Sequence, residues 1–72
     1  MNTVIRFPSV VRQLREARGW SQEELAERAD LNRSYIGEIE RGIAVPSLAT
    51  VGKIASGFEL SPSSLLARCE GS

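Results

Sequence analysis

The chain has 72 residues, 42% of them hydrophobic and 25% charged, and its nine basic residues balance its nine acidic ones. This length suits one small domain, and no run approaches the roughly 18 apolar residues of a membrane helix. One cysteine and no histidine exclude an internal disulfide, a zinc site and a catalytic triad within one chain. We therefore expect no metal, no cofactor and no enzymatic activity.

The N-terminal residues give no targeting signal, because residues 1–10 lack a basic segment followed by an apolar one. We expect a cytoplasmic protein with no membrane partner. Residues 1–72 are interpreted as one domain with its core at about 7–66, an arm at 1–6 and a tail at 67–72. Arg6 in the arm either contacts a backbone phosphate or lies in a disordered segment. Cys69 is interpreted as a reduced thiol near a frayed end.

Helix-start and helix-stop residues predict the first two helices. The first runs from Pro8 to Arg18, since proline suits a first helical position, and Gly19 ends it. Its apolar stripe contains Phe7, Val10, Val11 and Leu14. The second helix, Gln22 to Ala29, opens with a capping box in which the Ser21 side chain accepts from the Glu24 backbone and the Glu24 carboxylate reaches back.

Three further helices complete the chain. Asn32 is the predicted N-cap of a third helix that extends to Arg41 and stops at Gly42. The fourth helix spans residues 47–58, and a fifth short helix begins at Ser61-Pro62. The predicted apolar face of the fourth helix is Leu48, Val51, Ile54, Ala55 and Phe58. No β-alternation occurs, so the chain is predicted to be an all-α, compact five-helix bundle.

The second and third helices are short and are joined by a turn of three residues, which is the helix-turn-helix arrangement. The runs WSQEELA (20–26), NRSYI (32–36) and IERG (39–42), followed by PSL (46–48) and IA (54–55), resemble the Cro/C1-type helix-turn-helix family. The resemblance covers roughly residues 7–66 and implies a lambda-repressor-like DNA-binding domain. The size and residues 32–42 look closest to controller proteins of restriction-modification systems.

The resemblance implies a transcriptional regulator whose partner is a double-stranded DNA operator and whose third helix enters the major groove. Arg33 would read a guanine, and Ser34 a base or a phosphate. Gln22 would contact a phosphate, and Tyr35 a thymine methyl group or a phosphate. Arg41 and the backbone amides near residues 44–47, including Ser47, would hold the DNA backbone.

Each assignment has a structural alternative. Arg33 and Gln22 are otherwise ordinary exposed residues, and Tyr35 otherwise packs partly into the core. Glu38 accepts from a cytosine amino group, orients a neighbouring arginine, or is simply solvated. Gly37 costs about 1 kcal/mol in mid-helix; it allows close approach to DNA or to the second helix, or is merely tolerated.

Two further expectations follow from the resemblance. Arg15 and Glu40 resemble the family's inner ion pair, which ties the first helix to the third. A homodimer would bind a palindromic operator, with Leu60, Leu65 and Leu66 as its interface, although these leucines alternatively close the monomer core. No small-molecule effector is evident. Trp20 and Glu59 depart from the family pattern, where a smaller aliphatic residue and a glycine or asparagine are usual.

Other function classes stay open at this point. The same fold serves antitoxin-type protein-binding modules, and a structural or coactivator domain could have lost DNA binding. An enzyme is the most remote alternative, because no nucleophile and base can be assembled from these residues.

Overall fold

In the computed structural model, which describes residues 3–70, the chain forms five α-helices. They are α1 (Thr3–Ala17), α2 (Gln22–Ala29), α3 (Arg33–Glu40), α4 (Leu48–Gly57) and α5 (Pro62–Glu70). Helix α1 packs against α3 and α5, α2 packs against α3 and α4, and α4 also contacts α5. Residues 3–70 contain no strand, and the all-α, five-helix prediction is confirmed. Within residues 3–70 we find no helix that combines the length and the hydrophobicity of a membrane span.

Short polar side chains cap the helices that follow α1. A side-chain oxygen of each accepts from a backbone N–H two or three residues later, at 2.7–3.1 Å. They are Ser21, Asn32, Ser47 and Ser61. The predicted stops are also present, since Gly19 and Gly42 have φ values of +72° and +76°.

The capping box at α2 forms only in part. Ser21 Oγ accepts from Glu24 N as predicted, but the Glu24 carboxylate binds Arg28 Nε at 2.7 Å instead of reaching back. A cationic donor one turn away makes a stronger hydrogen bond to a carboxylate than a neutral backbone N–H does.

The prediction that Pro8 starts the first helix is wrong, because α1 begins at Thr3 and Pro8 lies inside it. Proline removes one backbone hydrogen bond within a helix. Burial of Phe7, Val10 and Val11 on the same helix offsets that loss. Helix α3 ends at Glu40, one residue earlier than predicted, and Arg41 is its C-cap.

The core draws apolar side chains from all five helices. Three predictions about apolar positions are corrected here. Leu65 and Cys69 are fully buried, so Leu65 closes the monomer core and Cys69 does not lie at a frayed end. Burial raises the pKa of the Cys69 thiol above its ordinary value. Leu48, the first residue of α4, is 85% exposed and does not join the apolar face predicted for this helix.

The two departures from the family pattern have local structural roles. Trp20 stacks on Phe58, with ring centroids 5.5 Å apart, and the Arg28 guanidinium lies 4.3 Å from the Trp20 ring centroid. This stack joins the α1–α2 turn to the C-terminal end of α4. Glu59 adopts the left-handed conformation (φ +61°) that glycine or asparagine usually supplies, while Leu60 N donates to Ala55 O at 2.8 Å.

Candidate nucleic-acid interface

The turn between α2 and α3 sets these two helices against each other. Asp30 has φ +55°, and Leu31 N donates to Ala26 O at 2.8 Å, which closes the end of α2. On α3 the side chains of Ile36 and Ile39 are fully buried. The opposite side of α3 is therefore left to solvent.

Five of the predicted DNA contacts lie together on that surface, which we call the α2–α3 face. They are Gln22, Arg33, Ser34, Glu38 and Arg41, and together with Gly37 they line one polar depression. A second depression adjoins it, between Gln22 and Arg33 and bordered by Glu23. The side chains that line the two depressions present hydrogen-bond donors and acceptors on a concave surface.

A buried ion pair supports this face from behind. Arg15 Nε and Nη2 donate to the two carboxylate oxygens of Glu40 at 2.7 and 3.0 Å. Arg15 Nη1 also donates to Trp20 O at 2.8 Å. The side chains of Arg15 and Glu40 are only 12% and 3% exposed. The hydrogen bond to Glu40 raises the pKa of the Arg15 guanidinium above its ordinary value. The contact that the resemblance implied is present.

Gln22 belongs to the same network, which the sequence did not indicate. Its Nε2 donates to Glu40 Oε1 at 3.1 Å. A carboxylate only accepts hydrogen bonds, so this contact identifies the amide nitrogen as the Gln22 atom that faces Glu40. One N–H of Gln22 is thereby committed to the protein, and the second remains for another acceptor.

Tyr35 and Ser47 do not line the depression on the α2–α3 face. Tyr35 is half-buried and packs against the core, which favours the alternative given for it above. The Ser47 hydroxyl accepts from Thr50 N and donates to Thr50 Oγ1, both at 3.1 Å. Its side chain is committed to starting α4.

The charged residues of the α2–α3 face have no partner of opposite charge within the described chain. Elsewhere, Arg12, Arg15, Arg28 and Lys53 each lie within 4.0 Å of a carboxylate. Within residues 6–70, the guanidinium groups of Arg33 and Arg41 and the carboxylate of Glu38 make no ion pair or hydrogen bond. Two arginines are therefore uncommitted at opposite ends of α3. No group of acidic or cysteine residues in the described chain could hold a metal ion.

Gly37 is one of the residues that line the depression, and packing inside the chain does not require a glycine there. A Cβ at Gly37 would meet only the Gln22 side chain, at 3.5 Å from Oε1, which is ordinary contact. At Gly57, by contrast, a Cβ would lie 3.2 Å from backbone atoms of Arg28 and Ala29. Close approach of α2 therefore explains why residue 57 is a glycine, but it does not explain the glycine at position 37.

A second surface, which we call the apolar ridge, was missed at the sequence level. It comprises Ile43, Val45 and Leu48, which are 68%, 70% and 85% exposed. Beside it runs a groove of about 200 Å³ whose lining includes Phe7, Val51 and Leu66. Of the leucines predicted at an interface, Leu60 and Leu66 are half-buried and Leu65 is inaccessible. The sequence signal that could have revealed this surface is the run of apolar residues in the loop before α4.

Known proteins share this sequence and fold. The helix-turn-helix family matches residues 11–65. The HTH-type transcriptional regulator SutR of Escherichia coli (strain K12) is 41% identical over 61 residues, which are 83% of this chain but 34% of SutR. Control protein C.BamHI of Bacillus amyloliquefaciens is 41% identical over 66 residues, covering 90% of this chain and 82% of C.BamHI.

Among solved structures, the restriction-modification controller protein C.AhdI from Aeromonas hydrophila superposes with a TM-score of 0.80 at 40% identity, covering 86% of this chain and 94% of C.AhdI. The resemblance to the helix-turn-helix family and to controller proteins is thus confirmed. These relatives are regulators and controllers rather than enzymes, as the sequence led us to expect. The chain spans about a third of SutR.

The Glu40 network generates a stability prediction. We expect Glu40→Ala to lower the free energy of unfolding by about 3–5 kcal/mol, because it leaves the Arg15 guanidinium buried without its counter-charge. Urea unfolding followed by circular dichroism measures this change. Glu16→Ala is the matched control, since it removes an exposed pair whose side chains are 63% and 55% exposed, and it should cost less than about 1 kcal/mol. Equal losses in the two variants would contradict the structural role of Glu40.

Proposed function

This chain belongs to the helix-turn-helix family, and on that premise we propose that it is a transcriptional regulator that binds double-stranded DNA sequence-specifically. In this proposal it acts in the cytoplasm as a homodimer on a palindromic operator, with α3 in the major groove of each half-site. The observation that carries the proposal is the pair of uncommitted arginines, Arg33 and Arg41, on the exposed side of α3.

The distribution of ion pairs supports DNA binding despite the net charge of zero. Of the basic residues away from the α2–α3 face, four are paired with carboxylates and Arg18 donates to Phe58 O, whereas Arg68 on α5 is exposed and makes no ion pair within the described residues. Arg33 occupies the first position of α3, where a cation is disfavoured by roughly 0.3–1 kcal/mol through the helix dipole. An unpaired arginine in that unfavourable position is better explained by an external partner than by folding.

The residues of the α2–α3 face have distinct roles in this proposal. Arg33 makes a bidentate contact with the O6 and N7 atoms of a guanine, and Ser34 bonds to a base or a phosphate. Gln22 uses the N–H that Glu40 leaves unoccupied to donate to a phosphate. Arg41 contacts the DNA backbone beyond α3. Ser47 takes part through its backbone N–H at the start of α4, because its hydroxyl is bound to Thr50.

The apolar ridge supports the homodimer. The exposed side chains of Val45 and Leu48 project from the surface, and Phe7 and Leu66 line the groove beside them. A surface that carries both a projection and a recess can pair with a copy of itself across a two-fold axis. We therefore assign the dimer contact to the ridge and groove with Leu66, in place of an interface built on Leu65.

The same ridge is the observation that favours the alternative function, an antitoxin-type protein-binding module. A different protein partner would cover the ridge in that case. The two functions differ in whether the chain associates with itself and in whether Arg33 matters for DNA affinity.

The DNA-binding proposal predicts the outcome of a binding titration. We expect the chain to prefer duplex DNA from upstream of its own gene over a scrambled duplex by about 10³-fold or more, with affinity that falls steeply with salt. Arg33→Ala should lose roughly 10-fold or more in affinity for the preferred duplex, since a bidentate arginine–guanine contact is removed. Arg12→Ala, which alters an exposed arginine of α1 paired with Glu16, is the control and should bind normally. Equal effects of the two substitutions would count against a role for Arg33 in base recognition.

The dimer proposal predicts the effect of a charge on the ridge. Sedimentation equilibrium should show a dimer for the natural chain at tens of micromolar and a monomer for Leu48→Glu, because the substitution buries a carboxylate in an apolar contact. The Leu48 side chain is 85% exposed in the single chain, so the substitution should not disrupt the fold. The variant should therefore unfold cooperatively on heating, as a folded monomer does. Ala49→Glu places the same charge on the neighbouring exposed residue, outside the groove, and should remain dimeric. A dimeric Leu48→Glu variant would refute this interface, and a monomeric natural chain would refute the dimer.

A further inference from the structure

Glu38 is an unpaired acid in the middle of the candidate DNA-binding surface. Its side chain is exposed on α3 and borders the same depression as Arg33 and Arg41. Within residues 6–70 no arginine or lysine lies within 4.0 Å of its carboxylate, and no hydrogen bond reaches it. Glu38 therefore does not serve to orient a neighbouring arginine in this structure.

A carboxylate on this surface opposes DNA binding in general. Duplex DNA carries one phosphate charge per roughly 1.7 Å of its axis, and each of these charges repels Glu38 when α3 lies in the groove. The repulsion is the same for every sequence. It is offset only where a base presents a hydrogen-bond donor to the carboxylate.

The major groove offers two such donors, the amino groups of cytosine and adenine. Adenine places its N7 acceptor beside its N6 amino group, and that lone pair repels a carboxylate. Cytosine presents its N4 amino group with no acceptor of its own in the groove. An exposed, unpaired glutamate thus selects cytosine over adenine, and both over guanine and thymine.

We propose that Glu38 is a specificity-determining residue that accepts a hydrogen bond from the N4 amino group of a cytosine in each half-site, while its charge weakens binding to all other sequences. The proposal rests on the proposed function. Glu38 lies five residues after Arg33, about 7.5 Å along the helix, which exceeds the roughly 3.4 Å spacing of base pairs along a strand. The two side chains therefore read different base pairs, a guanine for Arg33 and a cytosine for Glu38.

Selection from a pool of duplexes with a randomised central region tests this assignment whatever the sequence of the operator. The natural chain should enrich sequences with a fixed guanine and a fixed cytosine in each half-site. Glu38→Gln should keep the guanine but accept adenine or a mixture in place of the cytosine, since a glutamine amide pairs with adenine. It should also bind the unselected pool several-fold more tightly, because one repulsive charge is gone.

Glu23→Gln is the matched control, because Glu23 is an exposed, unpaired acid that borders the adjoining depression from α2. It removes the same charge near DNA and should leave the selected sequence unchanged. Glu38→Ala removes the acceptor as well as the charge, and retention of the cytosine by Glu38→Ala would overturn the assignment.

A second measurement changes the DNA instead of the protein. In the selected duplex, each fixed cytosine is replaced by 2-pyrimidinone, which lacks the 4-amino group. The natural chain should lose roughly 10-fold or more in affinity, whereas Glu38→Ala, which has no acceptor, should lose much less. An unchanged affinity of the natural chain would overturn the assignment and leave the DNA-binding proposal standing. If the natural chain enriches no sequence at all, the proposed function fails, and the assignment fails with it.

Discussion

The arrangement of the candidate DNA-binding surface depends on one buried carboxylate, that of Glu40. It lies at the end of α3 and accepts two hydrogen bonds from Arg15 of α1 and one from Gln22 at the start of α2. A charge that is only 3% exposed is tolerated because these donors replace the water it has lost. The same bonds fix α3 relative to α1 and α2, so the residue that stabilises the fold also sets the position of the candidate recognition helix.

The remaining charges are distributed in a way that the net charge of zero conceals. Exposed pairs such as Arg12 with Glu16 and Arg28 with Glu24 contribute little to stability, but they occupy basic residues away from the α2–α3 face. Arg33 and Arg41 stay available there. The apolar ridge lies in the segment directly after α3, which brings a candidate dimer contact close to the candidate DNA contact. Dimerisation at the ridge would therefore set the distance between two recognition helices.

Local signals in the sequence predict the starts of α2 to α5 well, because caps depend on a few neighbouring residues, but the same kind of signal fails at Pro8, which lies inside α1. Asn32 and Gly42 bound α3 as expected. Predictions that depend on where other helices end were weaker. The periodicity of α4 places Leu48 on its apolar face, yet this side chain is 85% exposed. The sequence predicts Cys69 near a frayed end, because it does not reveal that α5 packs against α1. For the site, the resemblance supplied the residues of the α2–α3 face, but the bond from Gln22 to Glu40 became visible only in three dimensions.

The most direct test of the central claim, that α3 lies in the major groove of two half-sites, is protection from dimethyl sulfate on the preferred duplex. This reagent methylates guanine N7 in the major groove and adenine N3 in the minor groove. We expect the bound protein to protect guanine N7 atoms in two clusters about one DNA turn apart, and to leave adenine N3 reactive between them. Protection confined to adenine N3, or a single cluster of protected guanines, would contradict this account.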